Sequence, residues 1–491
     1  MIECQKPSTH FRPEAGFVGD VIPFEHEGTA WLYFLLDERP TAPDTRNTGM
    51  PWAAVTTADL AHFEDRGIVL PSGGRDAADF DCYTGSVVTD DAGVLHLFYT
   101  GHNPGVRTDH GDAQVVCHAT SAGDPGQWVK HPEWSFGALR GYADEDWRDP
   151  FVFRPTAEGP WQMLLAARRT DAPHRRSGTM VRLTSHDLIT WGEAEPLWSP
   201  HRFITQECPD VFRWGDWWYL VYSEFSDSFQ TRYRIARDPE GPWVAPEHDT
   251  VDGRAFYAAK TIELAGERFF VGWIATREGN RDNGAWQWAG TMSVLQARQN
   301  DDGSLAFSLP RSVVALYESD ATETADLRDV LKPLDGADVR PGAASATRHS
   351  AWLGPELPAE VLVTAELDIH EGTHACGLLL RAADDGERAY ILRLEPLRNR
   401  LVFDRWPRGR TGDEQWHSRG DVPHAIELER PVTLSPGRHT LRAQLDHDVL
   451  VATVDDEIAL STRIYDLEAG RIGLFATDGG FDLTRLDVAT R

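Results

Sequence analysis

Short apolar, β-rich runs separated by turn residues recur along most of this chain, and after residue 345 the runs alternate apolar and polar with a period of two. That period marks half-buried β-strands. A glycine-led apolar strand recurs five times: Gly28 before TAWLYFLL, Gly93 before VLHLFYTG, Gly159 before PWQMLLAA, Gly215 before DWWYLVYS and Gly266 before ERFFVGWIA. A short β-rich run precedes each glycine: DVIPF from Asp20, SVV from Ser86, DPFVF from Asp149, DVF from Asp210 and AAKTIEL from Ala258. A third strand and turn follow most copies and end in an aromatic, as in TTADLAHF from Thr56, TSHDLITW from Thr184 and IARDPEGPW from Ile235. The copies are about 50 to 65 residues apart, a spacing that suits propeller blades. Asp-Leu and Asp-Pro pairs fit the turns between outer strands. No helix-period stretch of useful length interrupts the series before residue 310. The pattern predicts a five-bladed β-propeller over residues 1–310.

Residues 311–345 break this pattern and read as a linker with at most one short helix. Residues 346–491 carry a second set of alternating strands, among them AEVLVTAELDI, ACGLLLRAA, RAYILRLEP and IGLFATDG. Asp-Gly, Asp-Asp and Asn-Arg turns separate them, and short strands at this density predict a β-sandwich. The expected fold class is therefore all-β, a five-bladed propeller followed by a C-terminal sandwich.

Composition narrows the partners. The chain has 491 residues, 41% of them hydrophobic, enough for two sizeable cores. Its formal net charge is −29, with no basic block, and that field repels nucleic acid and anionic membrane. No run approaches the length of a membrane span. The amino terminus, MIECQKPSTHFRPEAGF, lacks the apolar core of a secretory signal, so a cytoplasmic location is expected. The five cysteines (Cys4, Cys82, Cys117, Cys208, Cys376) are scattered and lack C-x-x-C spacing. Neither a disulfide framework nor a zinc site is expected, and no pair of histidines has ligand spacing. A small uncharged carbohydrate fits the acidity best, and a homo-oligomer is compatible with it.

Three acids stand near the mouth of their repeats. Asp20 lies eight residues before Gly28, Asp149 ten before Gly159 and Glu207 eight before Gly215. Similar positions in radially arranged blades converge on one end of the axis. Paired carboxyls are what glycoside hydrolysis uses, one as nucleophile or base and one as proton donor. Their mutual repulsion helps raise the pKa of one member. Arg148 adjoins Asp149 and can hold it ionised or bind a hydroxyl. A lone Asp or Glu at a strand start is usually a turn residue, but three at one place in the repeat point to chemistry. Among the 18 tryptophans most will be core. Trp52, Tyr83, Trp286 and Trp288 lie in irregular segments and are candidates for stacking on sugar.

These residues resemble glycoside hydrolase family 32, the family of β-fructofuranosidases, invertases, inulinases and levanases. Arg148-Asp149-Pro150 is similar to its R-D-P motif, and Glu207-Cys208-Pro209-Asp210 to its E-C-P-D motif. His10-Phe11-Arg12-Pro13-Glu14 resembles the H-F-x-P-x segment ahead of the first motif. Tyr83-Thr84-Gly85-Ser86 is similar to F-S-G-S, and Phe256-Tyr257-Ala258-Ala259-Lys260-Thr261 to F-Y-A-S-K-T. The tail also resembles the family's C-terminal sandwich. The resemblance implies Asp20 as nucleophile, Glu207 as general acid/base and Asp149 as stabiliser of the transition state. It implies a retaining mechanism through a furanosyl–enzyme intermediate, with carboxyls ~5–5.5 Å apart. It also implies no metal or organic cofactor. Substrate contacts are expected from Arg148, Tyr83, Ser86, Trp52, Cys208, Tyr257, Lys260 and Trp288.

The first motif departs from the family. Where W-M-N-D-P-N-G is usual, the chain reads Phe17-Val18-Gly19-Asp20-Val21-Ile22-Pro23, and the Y-Q-Y-N-P segment is replaced by Leu32-Tyr33-Phe34-Leu35-Leu36-Asp37. Some polar groups that grip the sugar are missing, so a fructan fragment or a difructose anhydride is as compatible as sucrose. Three other readings remain: a fructosyltransferase, a furanosidase for a sugar such as arabinofuranose, and a non-catalytic carbohydrate-binding propeller.

Overall fold

A computed structural model describes residues 9–39, 49–108, 111–319, 323–334, 345–406 and 427–491. The chain is mostly β, and Arg311–Ser319 is the one α-helix among the described residues. It divides into two compact units. The larger holds Phe11–Ile274 and Trp288–Ser304, and the smaller holds Met1–His10, Ala275–Gln287 and Leu305–Arg491.

The larger unit is built from successive antiparallel runs. The first is β1 (Phe17–His26), β2 (Thr29–Asp37), β3 (Trp52–Thr57) and β4 (Glu64–Leu70). The second is β5 (Asp81–Thr89), β6 (Leu95–Thr108), β7 (Gly111–Ser121) and β8 (Val129–Lys130). The third is β9 (Arg148–Phe153), β10 (Trp161–Arg168), β11 (Gly178–Ser185) and β12 (Glu195–Trp198). Then come β13 (Glu207–Trp214), β14 (Trp217–Glu224) and β15 (Gln230–Ala236), and last β16 (Phe256–Leu264), β17 (Glu267–Arg277) and β18 (Trp286–Gln299). Each run is a meander of neighbouring strands, and the last run joins the first where Gly290 of β18 pairs with Val18 of β1. The recurring glycines close the hairpins between the first two strands. Gly28 (φ 81°) and Gly266 (φ 79°) sit in the left-handed region that suits a residue without a Cβ.

Adjacent runs pack face to face. Ile22, Tyr33 and Leu35 of the first share a buried cluster with Cys82, Leu97 and Tyr99 of the second. Phe98 and Val116 of the second meet Val152, Met163 and Val181 of the third. Leu164 and Met180 of the third meet Val211, Leu220 and Tyr222 of the fourth. Alternate positions of one strand thus serve two neighbouring cores, which is why the apolar runs read as nearly continuous.

The first strand of every run carries a register break at the same place. The breaks fall between Val18 and Val21, between Tyr83 and Gly85, and opposite Leu164 to Ala166 in β9. The remaining two fall between Glu207 and Asp210 and between Tyr257 and Lys260. Such bulges re-aim side chains and interrupt pairing. Asp149 (φ 60°), Cys208 (φ 51°) and Ala258 (φ 53°) occupy the same bulge position and share a left-handed backbone. At Gly85 a Cβ would overlap the Phe98 carbonyl, so that bulge requires glycine.

The smaller unit has a six-stranded and a seven-stranded sheet. Glu360–Ile369 lies between Phe481–Thr490 and Gly437–Asp446 in the first, and Arg471–Gly479 between Ser345–Glu356 and Ala375–Ala382 in the second. Part of the segment expected to be a linker belongs to this unit, since Glu323–Asp326 pairs with Phe481–Thr490. Residues 335–344 of that linker lie outside the described residues. His10 is buried here, and the Thr9 N–H donates to the Asp446 carboxylate at 2.7 Å. Cys82, Cys117, Cys208 and Cys376 are free thiols, and Cys4 lies outside the described residues. Among the described residues, no helix is long and apolar enough to cross a membrane.

Candidate active site

The three acids occupy three successive places of the recurring bulge. Alignment by strand register puts Glu207 level with Arg148 and Tyr257, Asp149 level with Cys208 and Gly19, and Asp20 level with Pro150 and Pro209. The expectation of one shared repeat position is therefore refined. Each acid comes from a bulge, but from a different step of it, so the three side chains approach a common point from different directions.

They line one cleft of about 470 Å³, together with Leu35, Met50, Tyr83, Gln114, Glu145, Asp146, Arg148, Phe225 and Trp288. Cys208 links the acids. Its backbone N–H donates to Asp149 Oδ2 at 2.8 Å, its thiol lies 3.5 Å from Asp20 Oδ2, and it directly follows Glu207. Asp20 also accepts from the Thr84 hydroxyl at 2.6 Å and from the Trp273 indole N–H at 3.0 Å. Glu207 accepts from the Tyr257 hydroxyl at 2.6 Å and from Arg148 Nη2 at 2.8 Å. The Asp149 N–H donates to Thr100 Oγ1 at 2.7 Å. Arg148 is held in turn by Asp146, whose other oxygen lies 3.3 Å from Arg168 Nε. The Gln114 side-chain oxygen accepts the Asp146 N–H at 3.0 Å.

Burial raises the pKa of all three acids. At Asp20 desolvation outweighs the donors from Thr84 and Trp273, and the charge of Glu207 adds to the rise. At Asp149 desolvation outweighs the attraction of Arg148, with Asp20 adding to it. At Glu207 desolvation again dominates, opposed by Arg148 and reinforced by Asp149. A cluster so arranged holds a proton more readily than free carboxyls do, and its members titrate as a set. The Glu207 side chain remains 20% exposed, so the proton it holds can be delivered into the cleft.

Of the residues expected to meet substrate, Arg148, Tyr83 and Trp288 line the cleft. Tyr257 is buried behind Glu207, and Cys208 beneath the acids. Trp52, Ser86 and Lys260, also expected at the substrate, are instead buried and turned to protein partners. Trp52 is core and donates its indole N–H to the Tyr83 carbonyl at 3.1 Å. Ser86 donates to Pro150 O and accepts from the Val152 N–H, both at 2.9 Å. Lys260 donates to Gly85 O at 3.0 Å and to Pro209 O at 2.9 Å. Both are struts between the bulges of different runs. Trp286 belongs to the smaller unit, where the Arg277 guanidinium stacks on it.

Gln114, Asp146, Glu145, Met50, Phe225 and the Asp20 donor Trp273 were not anticipated. Gln114 stands on the third strand of its run, Trp273 on the second strand of the last run and the others in loops, where no motif marks them. The acidic run Asp144-Glu145-Asp146 just ahead of Trp147-Arg148 was the one signal available.

Comparison with known proteins is consistent along the whole chain. Residues 10–306 match the family model described as Glycosyl hydrolases family 32 N-terminal domain, and residues 338–490 match Glycosyl hydrolases family 32 C terminal. A sucrose-6-phosphate hydrolase of Zymomonas mobilis is 26% identical over 433 residues, covering 81% of this chain and 76% of the relative. A raffinose invertase of Escherichia coli is 25% identical over 501 residues, covering 97% and 93%. Among solved structures, fructan 1-exohydrolase IIa of Cichorium intybus superposes with a TM-score of 0.73 at 17% identity, covering all of this chain and 98% of that one.

Proposed function

The chain belongs to glycoside hydrolase family 32 and is a β-fructofuranosidase-type glycoside hydrolase, and from that premise we propose that Asp20, Asp149 and Glu207 are its reacting carboxyls. The observation that carries this reading is their meeting in one cleft around Cys208. Asp20 Oδ attacks the anomeric carbon of a fructofuranosyl unit while Glu207 gives its proton to the leaving oxygen, and the glycosidic C–O bond breaks. Water then attacks the same carbon, Glu207 takes its proton, and the ester to Asp20 is released, so configuration is retained. Asp149 accepts hydrogen bonds from ring hydroxyls. The fold is read as a five-bladed propeller, the joined first and last runs counting as two blades, with a C-terminal sandwich.

The cleft's charge indicates the substrate class. Five carboxyls line it against one cation, Arg148, which already serves Asp146 and Glu207. At about 10 Å and an effective dielectric of about 20, each ionised carboxylate repels a unit negative charge by about 1.7 kcal/mol. The substrate is therefore a neutral fructoside rather than a sugar phosphate. Two measurements test this. In product analysis over sucrose, inulin, levan, difructose anhydrides and arabinofuranosides, the wild type should release β-fructofuranose first and Asp20→Asn should release none. Inverted product, or a fully active Asp20→Asn, rejects the assignment. Sucrose 6-phosphate should be processed at least about tenfold less efficiently than sucrose, and the opposite preference rejects the neutral-substrate reading. Transfer to a second sugar instead of water would appear as longer oligosaccharides.

A further inference from the structure

The wall beside Asp20 is apolar where a sugar site would ordinarily be polar. Gly19 precedes Asp20 in the bulge, and Leu35 of β2 faces both residues across the register break. Trp288 closes over them. A Cβ built on Gly19 would lie 2.9 Å from Trp288 Cζ2, closer still to Cη2, and 3.1 Å from Leu35 Cβ. Gly19 lies outside the left-handed region, so crowding, by the indole first and Leu35 Cβ second, and not the chain path, excludes a side chain there.

The indole is held deliberately. Arg39 Nη2 donates to the Trp288 carbonyl at 2.6 Å and to the Ala289 carbonyl at 3.1 Å. Ala289 adopts a left-handed backbone (φ 65°) that turns the chain at this point. The Trp288 ring stands edge-on to Trp273, centroids 6.0 Å apart, and Trp273 is the indole that donates to Asp20. With this support Trp288 is still 38% exposed and lines the cleft. Leu35, at the same wall, has no polar atom to offer a hydroxyl.

We propose that Trp288, standing in the space left open by Gly19, is the specificity-determining residue of the cleft, and that with Leu35 it makes a wall for the C–H face of the furanose. This rests on the fructosidase reading above. Recognition then comes from one side only. Asp149 and Arg148 carry polar groups into the cleft for hydroxyls, whereas Leu35 and the face of the Trp288 ring offer them neither donor nor acceptor. An apolar wall discriminates weakly between analogues that differ by one hydroxyl, while a hydrogen-bonding wall discriminates strongly. The accepted class is thus fructofuranosides that lack, or have blocked, a hydroxyl on the face toward Trp288, alongside the unmodified sugar.

The test is binding of methyl β-D-fructofuranoside and its monodeoxy analogues, titrated calorimetrically in the Asp20→Asn background so that the ligand stays intact. At least one analogue should bind within about threefold of the parent. Trp288→Ala should weaken the parent by about tenfold, with Trp288→Phe keeping most of the affinity. Gly19→Asn alone should lose binding through collision with the indole. Gly19→Asn combined with Trp288→Ala should recover the parent sugar and reject that same analogue by about tenfold or more. Rejection of every deoxy analogue by the unmodified wall overturns the proposal, as does an unchanged parent affinity in Trp288→Ala or a fully binding Gly19→Asn. Unchanged thermal unfolding of Trp288→Ala, whose indole is partly exposed, separates lost contact from misfolding. Absence of binding to any ligand, with no wild-type turnover of any fructoside, rejects the fructosidase reading itself and the proposal with it.

Discussion

Burial of three carboxyls in one cleft sets the protein's function against its stability. Each has its pKa raised chiefly by desolvation. A carboxyl whose pKa is higher folded than unfolded binds more protons in the native state, so stability falls as pH rises from the unfolded value through the folded one. Replacing Asp20 by Asn removes a charge that is costly to bury at neutral pH and keeps the shape. It should abolish turnover and yet raise the melting temperature at pH 7, by about 2–4 °C for each kcal/mol regained. Calorimetry at pH 7 and again near pH 4 checks the sign, since the gain should shrink at the lower pH, where the carboxyl is protonated. At Glu207 the Tyr257 hydroxyl favours the charged form. Tyr257→Phe removes that donor and should move the alkaline limb of the kcat/KM profile to higher pH. A profile that stays in place, or shifts to lower pH, would remove Glu207 as the acid. Asp149 and Glu207 were legible in the sequence because R-D-P and E-C-P-D runs mark them, and Asp20 because it lies eight residues before its repeat glycine, as Glu207 does. Asp146 and Gln114 were not, because they act through Arg148 from positions whose neighbours have no fixed pattern.

At the scale of the strand, the recurring device is the bulge and the cross-ties between bulges. Thr100 accepts the Asp149 N–H and donates to the Thr84 carbonyl at 3.1 Å, joining two bulges through one hydroxyl. Lys260 does the same for the carbonyls of Gly85 and Pro209, and Ser86 for Pro150 and Val152. The bulges bring Asp20, Asp149 and Glu207 to one cleft, and neighbouring positions tie the bulges together. Thr100→Val keeps the shape and orphans a buried N–H beside Asp149. It should cost about 1–3 kcal/mol of stability and lower kcat more than it raises KM. A variant of wild-type stability and kcat would mean that the tie does not position Asp149. The recurrence of apolar, β-rich runs located these strands and the glycines located their hairpins. It could not reveal the register breaks, because a bulge is defined by the partner strand and not by the strand that carries it. For the same reason Ser86 and Lys260 read as substrate contacts: the motif was visible, and the carbonyls they serve come from runs far away in sequence.

At the scale of the whole chain, the second β-rich region does more than follow the first. The smaller unit recruits residues from both ends of the chain and from its middle. Asp446 accepts from Thr9, near the amino terminus. Asp282 accepts from the Tyr390 hydroxyl at 2.7 Å, from the Tyr465 N–H at 2.8 Å and from Arg405. Arg277 pairs with Glu427, and Arg463 donates to the Ala275 carbonyl at 3.1 Å. A boundary drawn in the sequence at residue 345 misses this, since composition and periodicity change there while the contacts reach back to residues 275–287 and to residue 9. Deleting 346–491 would leave Asp282, Arg277 and His10 without the groups that satisfy them. It also bares the buried Leu305, Phe307, Leu309, Val313 and Leu316 of the same unit, at about 1.5–3 kcal/mol for each side chain fully exposed, against a total stability of about 5–15 kcal/mol. The truncated chain should therefore accumulate as insoluble protein. Soluble yield, circular dichroism and turnover of the best fructoside measured on the truncated chain decide the matter. A soluble, cooperatively folded and fully active product would mean that residues 275–287 and the amino-terminal segment are stable without these partners.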